Sequence, residues 1–265
     1  MAIRLSILEP ALKDRLTAMG LKSYEDFIGS DNGAPMSGEV GSRTRRIPLD
    51  DNNPDAWGYL KIYRYARPRR LPHRLGQFPG RRDKCEIEAR NYAILRQRCG
   101  VHVPDVLAFG RRSRLGRRVD SFILTRAVPN AVPLDAFAIR TTRDSCRHYL
   151  IHESAQIVAR MHRAGFFHID LQWRNILVSD DGSDRPPLFL IDSARGTLRR
   201  GRVFREHGRL RDLSSLHKEA RQGLSPREEI RWLRRYLGIH RLRPGDRALI
   251  HAIRHDRSIK DGDTT

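Results

Sequence analysis

The sequence is poor in cysteine, lysine, aromatic residues and long apolar runs. Its three cysteines, Cys85, Cys99 and Cys146, fit no metal-ligand spacing and cannot all pair. They read as thiols of a reducing compartment, which excludes a disulfide-stapled secreted scaffold. No apolar run approaches the roughly 20 residues of a membrane-spanning helix. Arg4, Glu9, Lys13, Asp14 and Arg15 interrupt any signal-peptide core near the start, so a cytoplasmic protein is expected. Aromatic residues make up 7%, sparse for a surface that stacks nucleobases, and no RNA- or DNA-binding motif is present. Acidic residues are outnumbered, 31 against 51 basic, for a net charge of +20. Such a surface attracts anionic lipid, nucleic acid or a phosphorylated substrate. Only six of the basic residues are Lys and the other 45 are Arg, a skew that genomic base composition explains equally well.

What is there centres on His168 to Val178, H-I-D-L-Q-W-R-N-I-L-V. An Asp two residues after a His, with an Asn five residues beyond the Asp, is the spacing of a kinase catalytic loop. There the Asp takes the acceptor hydroxyl's proton and the Asn ligates a phosphate-bridging metal. Ile176-Leu177-Val178 starts a strand, a turn-rich gap spans Ser179 to Pro187, and Leu188-Phe189-Leu190-Ile191 returns as a second strand ending at Asp192. The hairpin would let Asn175 and Asp192 converge on one Mg²⁺, a cation that wants hard oxygen ligands and substrate phosphates. The plain alternative is a loop Asp and a strand-end Asp without a role.

Upstream, Leu5, Leu8, Leu12, Leu16 and Met19 fall at helical spacing and suggest a mixed helical lead-in over residues 1–28. Gly33, Gly38 and Gly41 mark a Gly- and Ser-rich stretch, read as a phosphate-covering loop or a plain surface loop. Strands are expected at Thr44–Leu49 and Tyr59–Tyr63. Lys61 sits mid-strand in a chain that otherwise uses Arg, the place for a compact ammonium contacting nucleotide phosphates. Its partner would be Glu88, on a helix from about Asp83 to Cys99, with Glu86 the competitor on another face. The basic stretch between, with Arg67, Arg69, Arg70, Arg74, Arg81 and Arg82, reads as an anionic-substrate or membrane-facing loop, or as a solvated linker. A strand pair around Gly116 follows, then a two-proline hinge and a helix from about Thr142 to Ala164 that Gly165 stops. Ser225-Pro226-Arg227-Glu228 opens a later helix with a capping box.

L-K-x-Y at 60–63, E-x-x-N at 88–91, V-x-V-P-D-V-L-A-x-G at 101–110, M-H-R-A-G-F-F-H-I-D-L at 161–171, N-I-L-V at 175–178 and I-D-S-A-R at 191–195 together resemble the bacterial lipopolysaccharide kinases. These Kdo and heptose kinases of the inner core are small relatives of protein kinases. The resemblance covers about residues 44–200. It implies an α+β, two-lobed protein-kinase-like fold: an antiparallel-sheet N-lobe and a mainly helical, abbreviated C-lobe. The lobes would span 1–126 (lead-in 1–43, nucleotide-binding sheet and helix 44–126) and 134–265, joined by a hinge at 127–133. It also implies ATP and Mg²⁺, with transfer of the γ-phosphate to a sugar hydroxyl of a lipid-linked, anionic glycan. Asp170 would be the base, Asn175 and Asp192 the metal ligands, Lys61 and Glu88 the nucleotide-positioning pair, and His168 a brace for the loop. Arg195 falls where such kinases often carry Arg, whereas Ser193 departs from their commoner apolar residue. No A-P-E segment follows Asp192, unlike in protein kinases. A basic enzyme at the cytoplasmic face of the inner membrane, in peripheral contact with anionic lipid, would give the charge a purpose. The competing readings are a kinase of this fold with another acceptor, small molecule or protein, a non-catalytic pseudokinase, and a nucleic-acid binder suggested by charge alone.

Overall fold

The structure, a computed structural model, describes residues 1–8, 12–31, 33–39, 41–50, 56–65, 83–115, 117–141, 143–220 and 223–256. The basic stretch 67–82, the Gly116 turn and the tail beyond 256 lie outside them. The chain divides into two compact units: Met1–Tyr92 with Pro104–Ala127, and Ala93–Val103 with Val128–Thr265.

The first unit is a six-stranded antiparallel sheet backed by short helices. Its elements are β1 (Ala2–Ile7), α1 (Leu12–Ala18), α2 (Tyr24–Gly29), β2 (Ala34–Glu39), β3 (Ser42–Pro48), β4 (Trp57–Arg64), the first half of α3 (Lys84–Cys99), which passes into the second unit after Tyr92, β5 (Val106–Arg114) and β6 (Arg117–Arg126). The strand order is β1-β5-β6-β4-β3-β2. Residues 2–7 correct the helical lead-in. Ile3, Leu5 and Ile7 also alternate with period two, and pairing of Ala2–Ile7 with β5 satisfies their backbone. Helical spacing holds only from Leu12, where Leu12 and Leu16 are buried. The Gly- and Ser-rich stretch is likewise no plain loop: it pairs as β2 with β3.

Along β4, Leu60 and Ile62 point into a core with Leu16, Phe27 and Leu107. The Phe27 and Phe122 rings stack there at 4.3 Å. The opposite face of β4 turns towards α3, where Tyr63 packs with Cys85 and Ile123. Asp83 starts α3 because its carboxylate accepts the Cys85 N–H at 2.8 Å while Tyr65 donates to it at 2.7 Å.

The second unit is mainly helical: β7 (Ala131–Pro133), α4 (Leu134–Arg140), α5 (Asp144–Arg163), β8 (Phe166–Phe167), β9 (Ile176–Ser179), β10 (Leu188–Leu190), β11 (Thr197–Leu198), α6 (Arg202–Ala220), α7 (Pro226–Leu237) and α8 (Pro244–Arg254). The end of the expected hinge is strand β7, paired with β9. Gly165 turns the chain out of α5 at φ +78, a conformation costly for other residues. The α7 capping box is complete: Glu228 N–H donates to the Ser225 hydroxyl at 3.4 Å and Ser225 N–H to Glu228 at 2.8 Å. Trp232 of α7 anchors the unit, stacked on Tyr236, edge-on to Trp173 and donating to Ser154 at 3.0 Å. All three cysteines are buried and unpaired. Among the described residues no helix is long and apolar enough to cross a membrane.

Candidate active site

In the second unit the turn at Gly165 feeds the two-residue strand β8, which pairs with β11 and delivers His168. His168 is fully buried, and its Nε2 lies 3.0 Å from the Ile191 carbonyl oxygen. The imidazole thus ties the start of the loop to the strand end that carries Asp192. Ile169 then adopts φ +69, left-handed backbone that a β-branched residue enters only at a cost of about 1–3 kcal/mol. Asp212 of α6 supplies the compensation. Its fully buried carboxylate accepts the His168 N–H at 2.8 Å and the Ile169 N–H at 2.7 Å. His162 Nε2 closes the group 3.1 Å from the same carboxylate, and Tyr236 lies 2.8 Å from the other ring nitrogen.

With that backbone held, Asp170 emerges one-third exposed at the side chain, 3.6 Å from the Arg195 guanidinium. Gln172 Nε2 donates to its other oxygen at 3.5 Å. A single 3₁₀ turn, Trp173–Asn175, follows. The Trp173 N–H donates to Glu219 at 2.9 Å and its indole N–H to the Leu216 carbonyl at 2.8 Å, so α6 fixes this turn as well. Burial raises the Glu219 carboxyl above its ordinary value, against the lowering pull of the Trp173 N–H.

Asn175 donates its side-chain N–H to the Asp170 carbonyl at 2.9 Å, so the amide oxygen is the atom left to bind a cation. The β9–β10 hairpin forms as the sequence indicates, and Ile191 N–H donates to the Asn175 carbonyl at 2.9 Å. Asn175 and Asp192 therefore stand at adjoining ends of paired strands. Asp192 adopts φ +57 and opens a 3₁₀ turn, Ser193–Arg195. One amide oxygen and one carboxylate are the hard donors that Mg²⁺ accepts when substrate phosphates complete its shell. Among the described residues no group of three or more His, Cys, Asp or Glu side chains is arranged to hold a metal alone.

The first unit carries the other two residues. Lys61 and Tyr63, two apart on β4, share the face that packs on α3. Glu88 is 3% exposed on that helix and accepts the Tyr92 hydroxyl at 3.0 Å. Burial and the Glu88 charge push the Tyr63 hydroxyl above its ordinary value, while Lys61 pulls it down. Lys61 and Glu88 thus both act on Tyr63. Glu86 faces elsewhere, pairing with Arg111 at 3.1 Å and Arg4 at 3.6 Å.

Asp212 is the residue that sequence reasoning missed. It lies in an ordinary basic helix more than forty residues downstream, and it acts on backbone N–H groups, which leave no side-chain signature. Beside the loop from His168 to Asn175 the second unit also holds a cavity of about 270 Å³, lined by Leu134, Asp135, Arg147, Trp173, Arg174 and Glu219 among others.

An antiparallel-sheet unit and a mainly helical unit bearing this loop and hairpin define a protein-kinase-like fold. A solved structure described as WaaP in complex with acyl carrier protein shares it, with a TM-score of 0.66 at 23% identity, covering 94% of this chain and 96% of that one. The family model for the lipopolysaccharide kinase (Kdo/WaaP) family matches residues 38–236. The chain belongs to that family and is a kinase by membership. A search of curated proteins found no match.

Proposed function

We propose that this kinase transfers the γ-phosphate of ATP to a sugar hydroxyl, on Kdo or heptose, of the lipopolysaccharide inner core. The observation that carries the reading is the loop geometry: Asp212 and His168 hold Asp170 at the mouth of a hairpin that ends in Asn175 and Asp192. Asn175 and Asp192 would hold Mg²⁺, which when bound neutralises charge on the phosphates. Asp170 orients the sugar hydroxyl and accepts its proton as the sugar oxygen bonds to the γ-phosphorus and the bond to the β-phosphate oxygen breaks, releasing ADP. Lys61 contacts the phosphates and disperses developing charge, positioned by Glu88. His168 makes no contact with the reacting atoms; it braces the loop.

Asp170→Asn tests the reading. It keeps the shape and removes the base, so turnover should fall by roughly 10²–10⁴-fold with ATP binding intact. Phosphate transfer from labelled Mg²⁺-ATP to purified inner-core glycolipid, run beside nucleotide binding, measures both. Equal losses in transfer and binding would remove Asp170 from the role of base. Nucleotide binding by the wild type without transfer to any core acceptor would leave a kinase of this fold with another acceptor.

A further inference from the structure

Arg195 has its side chain 62% exposed, and its Nη1 lies 3.6 Å from Asp170 Oδ2. Its backbone is well held. Asp192 is left-handed, Ser193 is fully buried, and Gly196 N–H closes the turn on the Ser193 carbonyl at 2.9 Å. A fixed turn thus projects a solvent-facing guanidinium over the carboxylate assigned as base. Among the described residues its ion pair is with Asp170. A pair so exposed favours its own formation by about fivefold at most, so a better anion displaces it readily. The planar fork of Arg binds carboxylate and phosphate oxygens two at a time, and does so more strongly than it binds neutral groups.

Resting on the kinase function proposed above, we propose that Arg195 is the acceptor-recognition residue of this site. It binds an anionic substituent, carboxylate or phosphate, on the sugar whose hydroxyl faces Asp170, and without acceptor it rests on Asp170. Reach supports this. Asp170 must come within about 3 Å of the reacting hydroxyl, and the fork starts 3.6 Å from Asp170. The group it grips therefore lies on the reacting sugar or the residue next to it. Moving the guanidinium onto the acceptor also releases the Asp170 carboxylate for the hydroxyl proton. The site accordingly selects charged sugars over neutral ones of the same size.

The test is steady-state kinetics of the full chain with Mg²⁺-ATP on three acceptors: native inner-core glycolipid, its carboxyl-reduced form and its dephosphorylated form. Arg195→Gln should raise the KM for native acceptor by roughly 10- to 100-fold, leaving kcat and the KM for ATP unchanged. Arg195→Lys should recover part of the loss. On the one modified acceptor that lacks the gripped group, wild type and Arg195→Gln should be equally poor; which acceptor that is identifies carboxylate or phosphate. Equal losses on all three acceptors with a displaced pH–rate limb would make Arg195 a brace for Asp170 and overturn the proposal. A raised KM for ATP would overturn it in favour of nucleotide binding. Wild-type transfer to none of the three would overturn the function itself and this inference with it.

Discussion

Asp212 shows how one side chain can set a loop it does not belong to. Two adjacent backbone N–H groups point into a fully buried carboxylate, and the second belongs to a left-handed isoleucine. Asp212→Asn keeps the volume but replaces one acceptor oxygen by a donor, leaving a buried N–H opposite an N–H. That mismatch should cost about 2–4 kcal/mol of stability. Ile169 loses the support that offsets its strain, so turnover should drop more steeply than the KM for ATP changes. Urea unfolding beside transfer kinetics would measure both, and a variant of wild-type turnover would free the loop from Asp212. Glu228 behaves differently, because its partners hold it charged. The Arg147 guanidinium, at 2.6 and 3.1 Å, and the Ser225 cap bring its carboxyl down to about 2 from an ordinary value of 4.5. A lowered carboxyl stabilises the fold above about pH 4.5, and that support fades as the pH falls towards 2. Glu228→Gln should therefore lose about 1–2 kcal/mol at pH 7 and progressively less below pH 4.5. Urea midpoints for the two proteins across pH 2–7 should converge at the acid end.

At the scale of elements, α6 organises the second unit. It carries Asp212, Leu216 and Glu219, which together fix both halves of the loop from His168 to Asn175, and its approach depends on Gly208. A Cβ at Gly208 would lie 2.6 Å from Cγ of the buried Phe167, the residue before His168. Alanine usually stabilises a helix by up to about 1 kcal/mol over glycine. Here overpacking should reverse the sign, for a net loss of about 1–2 kcal/mol. The displaced helix would also draw Asp212 away from the loop. Gly208→Ala should thus lower Tm and turnover together, whereas a raised Tm would mean that α6 does not pack tightly against β8. Why some elements are legible in the sequence follows from the same contacts. The β9–β10 hairpin and its flanking Asp and Asn are readable because they fall at short, fixed spacing along the sequence. The period-two and helical patterns overlap in residues 3–8, and only the partner strand β5 decides between them. No local spacing marks Asp212, since its partners in the loop are main-chain groups that any sequence would offer and its side-chain partner, His162, lies fifty residues away.

For the whole molecule, the charge of +20 is the property with least structural explanation. Among the described residues, twelve arginines take part in ion pairs with carboxylates, Arg195, Arg112, Arg111 and Arg147 among them. Internal pairing can never absorb the rest, because 31 acidic residues stand against 51 basic ones. If the acceptor is a lipid-linked anionic glycan, the excess should act where the acceptor resides. Each Lys or Arg near an anionic lipid surface contributes about 1 kcal/mol, lost beyond a Debye length of about 8 Å at physiological salt. The full chain should then cosediment with vesicles containing anionic lipid and release progressively as salt rises towards about 1 M, while neutral vesicles leave it in solution. Genomic base composition alone makes a different demand: the arginines would be dispersed and the partner unspecified, and anionic vesicles would hold the chain no better than any other polyanion. Binding that survives high salt would instead mean apolar insertion, for which the described helices offer no span of sufficient length. A salt-released, lipid-dependent association, accompanied by faster transfer to vesicle-borne than to detergent-dispersed acceptor, would tie the composition of the whole chain to the chemistry of its loop.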